Sequence, residues 1–138
     1  MMAATRTVLT TALLLVATQF AAHSAHADPK VDYLLHCSGC HMPDGSGLAP
    51  VVPTLHAVIG RMVAEPAGRA YVVRVPGVSQ APINDQKLTA VINWMLTEFS
   101  SETLPDNFKP FTVSEVSRAR SQLLADPLKL RAELFPDY

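Results

Sequence analysis

From Leu88 to Phe99 the apolar residues Leu88, Val91, Ile92, Met95, Leu96 and Phe99 recur every three or four positions, the spacing that lays one buried stripe along a helix. Pro82 ends whatever precedes this element, and Asn84 or Asp85 supplies its cap. A shorter helix is predicted from Asp28-Pro29, a capping carboxylate followed by proline at the first helical position, with Val31, Leu34 and Leu35 as its apolar face. Residues Thr54 to Gly60 predict a turn or two of helix ended by glycine, and Pro66 to Val73 a short helix stopped by Pro76-Gly77. Thr112 with Glu115 forms a capping box before a helix offering Val113, Val116, Leu123 and Leu124 for burial. Asp126-Pro127 repeats the cap-and-proline device before Leu128, Leu130 and Leu134. Strand-like character is confined to Tyr71 to Val75, a run too short to define a sheet, so the pattern reads as mainly α.

Two stretches depart from this helical pattern. Met42 to Pro53 holds Pro43, Gly45, Gly47, Pro50 and Pro53, which forbid long regular structure and predict a loop. At the N-terminus, Arg6 precedes an apolar run from Val8 to Ala22, and Ala25-His26-Ala27 follows as a small-x-small cleavage pattern. A secretory signal over residues 1–27 is the reading adopted. The alternative is an uncleaved anchor, which wants about 20 predominantly apolar residues, whereas this run is shorter and diluted by Thr10, Thr11, Thr18 and Gln19. The protein is therefore expected to be exported, to the periplasm, with no stable membrane insertion after cleavage.

Residues 28–138 are enough for one modest domain. They hold 10 basic and 12 acidic side chains, a net charge of −2 with histidines neutral, which gives no sign of nucleic-acid binding. Nothing in the pattern sets an oligomeric state. The organisation expected is a signal over 1–27, a domain over 28–100, and a helical extension over 101–138 whose ordinary role is to pack on that domain rather than dock a partner.

The chemistry is concentrated in Cys37-Ser38-Gly39-Cys40-His41. Two thiols three positions apart beside a histidine point to covalent attachment of a c-type haem, with thioethers to its vinyl groups and an imidazole beneath its iron. A thioredoxin-like redox pair expects a strand and a βαβ framework, yet a helical pattern precedes this one. A structural zinc would need about four ligands, and beyond the motif residues 28–138 add only His36 and His56. A local disulfide would leave His41 without a role. An exported protein also occupies the oxidising kind of compartment in which cysteines are tolerated.

From Val31 to Phe99 the residues resemble the class I cytochrome c family: a leading helix, Cys37 to His41, a proline-rich loop with Pro53-Thr54-Leu55, Gly60-Arg61, and a final amphipathic helix bearing Trp94. The resemblance implies a small helical domain around one covalent haem c and its iron. It implies that Cys37 and Cys40 bind the cofactor, that His41 is the proximal ligand, and that the Pro53 carbonyl orients His41. It also implies that the first and last helices cross, with Trp94 near Leu34.

The family's usual second ligand is a methionine about fifteen to twenty residues before the aromatic of the last helix. Here that window falls on Pro76 to Ser79, and no methionine occurs between Val63 and Asn93. Met62, after the Gly60-Arg61 turn, is the first candidate. Met42 adjoins His41 on the proximal side, and Met95 belongs to the apolar stripe. His56 would give a bis-histidine iron, although the family commonly has a non-ligand histidine there. Gln80 or Ser79 could instead hydrogen-bond a small distal ligand over an open iron. His36 should face solvent, and Arg61, Arg69, Arg74 and Tyr71 are candidate haem-propionate partners.

The function expected is that of a periplasmic single-electron carrier serving redox partner proteins, not an enzyme. Two alternatives stand beside it: a five-coordinate haem protein for nitric oxide, carbon monoxide or peroxide, and the haem subunit of a larger periplasmic dehydrogenase docked through residues 101–138.

Overall fold

A computed structural model of the protein describes residues 28–49 and 52–137; the expected signal segment lies outside the described residues. The described elements are α1 (Pro29–His36), α2 (Ser38–His41), α3 (Ile59–Met62), α4 (Pro66–Arg74), α5 (Pro76–Ser79), α6 (Asp85–Ser100), a 3₁₀ turn (Ser101–Thr103), α7 (Val113–Arg120) and α8 (Pro127–Leu134). No strand occurs among the described residues, only an isolated bridge between Leu48 and Val52. The fold is the small helical one expected.

Local chemistry starts the helices where the sequence indicates. Asp28 Oδ1 accepts from the Lys30 amide at 2.9 Å, and Asn84, rather than Asp85, caps α6 by accepting from the Lys87 amide at 2.9 Å. Thr112 Oγ1 accepts from the Glu115 amide at 3.2 Å, and Asp126 Oδ1 from the Lys129 amide at 2.9 Å. Each bond satisfies an amide that the first turn leaves unpaired.

All six stripe residues of α6 are buried and form the centre of the core. Helix α1 packs across α6, but not through the face expected. Val31, Leu34 and Leu35 are 48, 42 and 70 % exposed, while Asp32 and Tyr33 point inward. Tyr33 meets Trp94 and Phe99 at ring-centroid distances of 5.2 and 5.3 Å, and Trp94 meets Phe99 at 5.4 Å. Trp94 therefore has Tyr33 as its aromatic partner on α1, next in sequence to the expected Leu34. A large aromatic offers more contact area than a leucine, and Lys87 makes the inward turn of Asp32 tolerable with an ion pair at 3.1 Å.

Two boundaries also differ. The helix expected to close at Gly60 instead begins at Ile59 and contains it, because Ala57 at φ 56° interrupts the backbone just before. Gly60 is needed there: a Cβ would lie 2.3 Å from Thr103 Oγ1 and 2.7 Å from the Ser100 carbonyl oxygen. The Tyr71 to Val75 run is helical as far as Arg74, and Pro76 opens α5 rather than ending structure.

Residues 101–137 fold back over α4 and α6. Phe111, Val116, Ala119 and Leu124 are buried, whereas Val113 and Leu123, both expected to be available for burial, are exposed. Asn93 clasps the Phe111 backbone, donating to its carbonyl at 3.0 Å and accepting from its amide at 2.8 Å. Arg69 donates twice to the Glu115 carboxylate, at 2.7 and 2.9 Å, and its guanidinium carbon lies 3.9 Å from the centroid of the Phe111 ring. Arg120 donates to the carbonyls of Ser79, Ala81 and Ile83 and to the Asp85 carboxylate.

Candidate functional site: the Cys37 to His41 turn

Cys37 joins α1 to α2. Its amide donates to the Tyr33 carbonyl at 2.8 Å, and its own carbonyl accepts from the Cys40 and His41 amides at 3.2 and 3.1 Å. This single turn puts the two thiols on one helical face, as a three-residue spacing requires. Both thiols are free, Cys37 half-buried and Cys40 exposed. Burial and the nearby Asp32 carboxylate push the Cys37 thiol up to about 11, so it is protonated at neutral pH.

The His41 ring is held from one side. Its Nδ1 lies 3.2 Å from the Pro53 carbonyl oxygen, a contact that is a hydrogen bond when Nδ1 carries the proton. That tautomer leaves Nε2 with the lone pair a metal needs. Burial lowers the His41 pKa, against an opposing contribution from the Pro53 bond, and so favours the neutral imidazole that ligates metals. Two unpaired thiols and a neutral imidazole whose outer nitrogen is already engaged form a donor set that fits a covalently attached haem.

The loop that delivers Pro53 depends on unusual backbone angles. Met42 turns it at φ 61°, and Gly45 and Gly47 have φ 79° and 72°. Gly47 is a residue whose role sequence reasoning missed: a Cβ there would lie 2.5 Å from the Pro53 oxygen, the atom that meets His41. The signal available was a pair of glycines two apart between the motif and Pro53. The Gly47 amide donates to the His41 carbonyl at 3.1 Å, the Leu55 amide donates to the Gly45 carbonyl at 2.8 Å, and Tyr33 donates its hydroxyl to the Met42 carbonyl at 2.6 Å. Burial pushes the Tyr33 phenol up to about 12, with smaller contributions from Cys37 and Asp44.

The remaining candidates are spread more widely. Met62 is 4 % exposed at the end of α3 and belongs to the hydrophobic core. Met95 is buried in the α6 stripe, and Met42 caps α2. His56 lies edge-on to Phe99 with Nε2 2.6 Å from the Asp44 carbonyl oxygen. His36 is half-buried at the end of α1, and Gln80 is exposed. Of the propionate candidates, Arg69 is engaged by Glu115, and Arg74 donates to the Gln122 and Leu123 carbonyls at 3.4 and 3.1 Å. Tyr71 is buried with its ring centroid 6.0 Å from that of Phe135, while Arg61 is exposed. Among the described residues no cluster of three or more His, Cys, Asp or Glu side chains could hold a metal ion, and no helix is long and apolar enough to cross a membrane.

No family model matches the chain. Two relatives do. One cytochrome c-552 of Thermus thermophilus is 30% identical over 127 residues, covering 79% of this chain and 84% of the relative. A second cytochrome c-552 of Thermus thermophilus is 30% identical over 115 residues, covering 70% of this chain and 87% of that protein. With a relationship running through most of both chains, the protein belongs to the c-type cytochromes and carries haem c with its iron.

Proposed function

We propose that this protein is a periplasmic mono-haem cytochrome that passes single electrons between redox partner proteins. Cys37 and Cys40 hold the ring as thioethers, His41 binds the iron through Nε2, and the Pro53 carbonyl fixes the imidazole's tautomer and orientation. The haem, once bound, supplies the one-electron chemistry. The protein's own part is to anchor the ring at one edge and to hold His41 still. The hydrogen bond from Nδ1 to Pro53 raises the basicity of the imidazole and stabilises the oxidised metal relative to the reduced one. The observation that carries this reading is the His41 to Pro53 contact beside two unpaired thiols.

Export through residues 1–27 brings the chain to a compartment where the thiols meet haem before they pair with each other. The extension packs on the domain through its buried residues Phe111, Val116 and Leu124. Expression with and without a c-type haem-attachment system tests the proposal. The exported protein should gain one haem that survives denaturation and titrate as a single one-electron couple. Export as a haem-free disulfide despite that system would overturn it.

A further inference from the structure

The carbonyl that meets His41 belongs to a loop whose outgoing and returning limbs are tied together rung by rung. At the far end, Leu48 and Val52 exchange backbone hydrogen bonds at 2.9 and 2.8 Å. In the middle, the Gly45 carbonyl accepts from the Leu55 amide at 2.8 Å and from the Thr54 hydroxyl at 3.3 Å. At the base, nearest the motif, the tie is a side chain: His56 Nε2 lies 2.6 Å from the Asp44 carbonyl oxygen. Pro53 sits on the returning limb among these rungs, so the place of its oxygen depends on how that limb is held against the outgoing one.

His56 is well placed to close the base. A carbonyl oxygen can only accept, so the Nε2 that faces it carries a proton and donates. The His56 amide donates to Thr54 Oγ1 at 3.1 Å, the same hydroxyl that reaches Gly45. The imidazole stands edge-on to Phe99 of α6, with 5.4 Å between centroids, and the Phe99 ring also lies against the outgoing limb, 2.9 Å from where a Gly45 Cβ would be. One residue further on, the Ala57 amide donates to the Phe99 carbonyl at 3.2 Å. Phe99 therefore braces both limbs, and His56 spans the gap between that brace and Asp44. Tyr33 holds the outgoing limb from α1, at the Met42 carbonyl, and His56 holds it again two residues later.

We infer that His56 is a positioning residue for the axial ligand: its Nε2, by donating to the Asp44 carbonyl, closes the loop and keeps the Pro53 oxygen at Nδ1 of His41. The strap consists of atoms of this chain alone. The inference rests on the haem reading only for its consequence at the iron. When the strap is lost, the Pro53 oxygen is free to leave Nδ1, the imidazole becomes a poorer electron donor, and the reduced metal is easier to form.

Two substitutions separate the donor from the ring. His56→Phe keeps an aromatic against Phe99 and removes the donor, whereas His56→Gln keeps an N–H of similar reach and removes the aromatic. In the exported, haem-loaded full chain, the Nδ1 proton of His41 should exchange with solvent about fivefold faster in His56→Phe. The reduction midpoint should rise in the same variant, and His56→Gln should match the parent in both respects. Amide exchange in α7, remote from the loop, should be unchanged in each. Parent-like exchange and midpoint in His56→Phe would overturn the inference. A defect in His56→Gln that His56→Phe lacks would also overturn it, because ring packing would then be the cause. If His56→Phe takes up no haem, the His41 ring-nitrogen resonances of the haem-free full chain decide. The strap predicts a smaller fraction protonated at Nδ1 in His56→Phe than in the parent and His56→Gln, and equal fractions would overturn it. Those resonances need no haem, so a parent chain without covalent haem would overturn the haem reading alone and leave the strap to be judged by them.

Discussion

The turn around Cys37 to His41 and the seam between the extension and α4, α5 and α6 are built in opposite ways. The turn relies on backbone: three residues with positive φ and a carbonyl aimed at one ring nitrogen, with both thiols left unpaired. The seam relies on side-chain cations, each committed to carbonyls or a carboxylate of another element. A site that must accept a cofactor keeps its chemical groups free and stores its precision in the chain's path. A surface that must stay closed does the reverse. Arg69 and Arg74 read from sequence as candidate partners for haem propionates, yet both are engaged in the seam. A charge near a motif belongs to the site only if nothing nearer has claimed it.

The largest effect should come from breaking the seam at Arg120. Arg120→Ala leaves three carbonyls and a carboxylate without their partner and should cost about 3 kcal/mol in denaturant unfolding. Arg120→Lys should recover only part of this, because a point charge cannot serve the same fan of acceptors. Full recovery would show that the seam needs charge rather than shape.

The turn should break next. Gly47→Ala forces a side chain into φ 72° and against the Pro53 carbonyl, with an expected loss of about 2 kcal/mol. Its signature should be local, a change in the His41 ring resonances with helix content unchanged. A stability loss with an unaltered His41 environment would separate Gly47 from the site.

Acid should distinguish the regions more gently. Glu115 is held below its ordinary value first by its hydrogen bond from Arg69, and Asp85 first by its hydrogen bond from Arg120. A carboxyl with a depressed folded pKa stabilises the fold fully above its unfolded value and ceases to do so as pH falls through the folded one. Below about pH 4 the seam should therefore loosen first, read as faster hydrogen exchange in α7 than in α1. Simultaneous loosening would mean that these carboxyls do not control the seam. The smallest effect is expected at Leu123, 84% exposed, where Leu123→Ser should change stability by less than about 0.5 kcal/mol.

What could be read from sequence follows the same division. The caps at Asp28, Asn84, Thr112 and Asp126 depend on neighbours two or three residues away, so short windows reveal them. The α6 stripe and the Cys37 to His41 motif are likewise local patterns. The inward face of α1 was missed because Tyr33 answers to Trp94 and Phe99, and Asp32 to Lys87, all more than fifty positions away. Gly60 looked like punctuation, yet it marks a place where another element comes within reach of a Cβ. The Arg120 staple joins residues at least 35 positions apart and leaves no periodic trace.

The central claim is that Cys37 and Cys40 hold the haem while His41, steadied by Pro53, binds its iron. Denaturing intact-mass analysis of the exported protein, with and without thiol alkylation, tests the anchoring most directly. The account predicts the mass of the chain plus one haem with neither thiol alkylated. A haem-free chain with both thiols alkylated would contradict it.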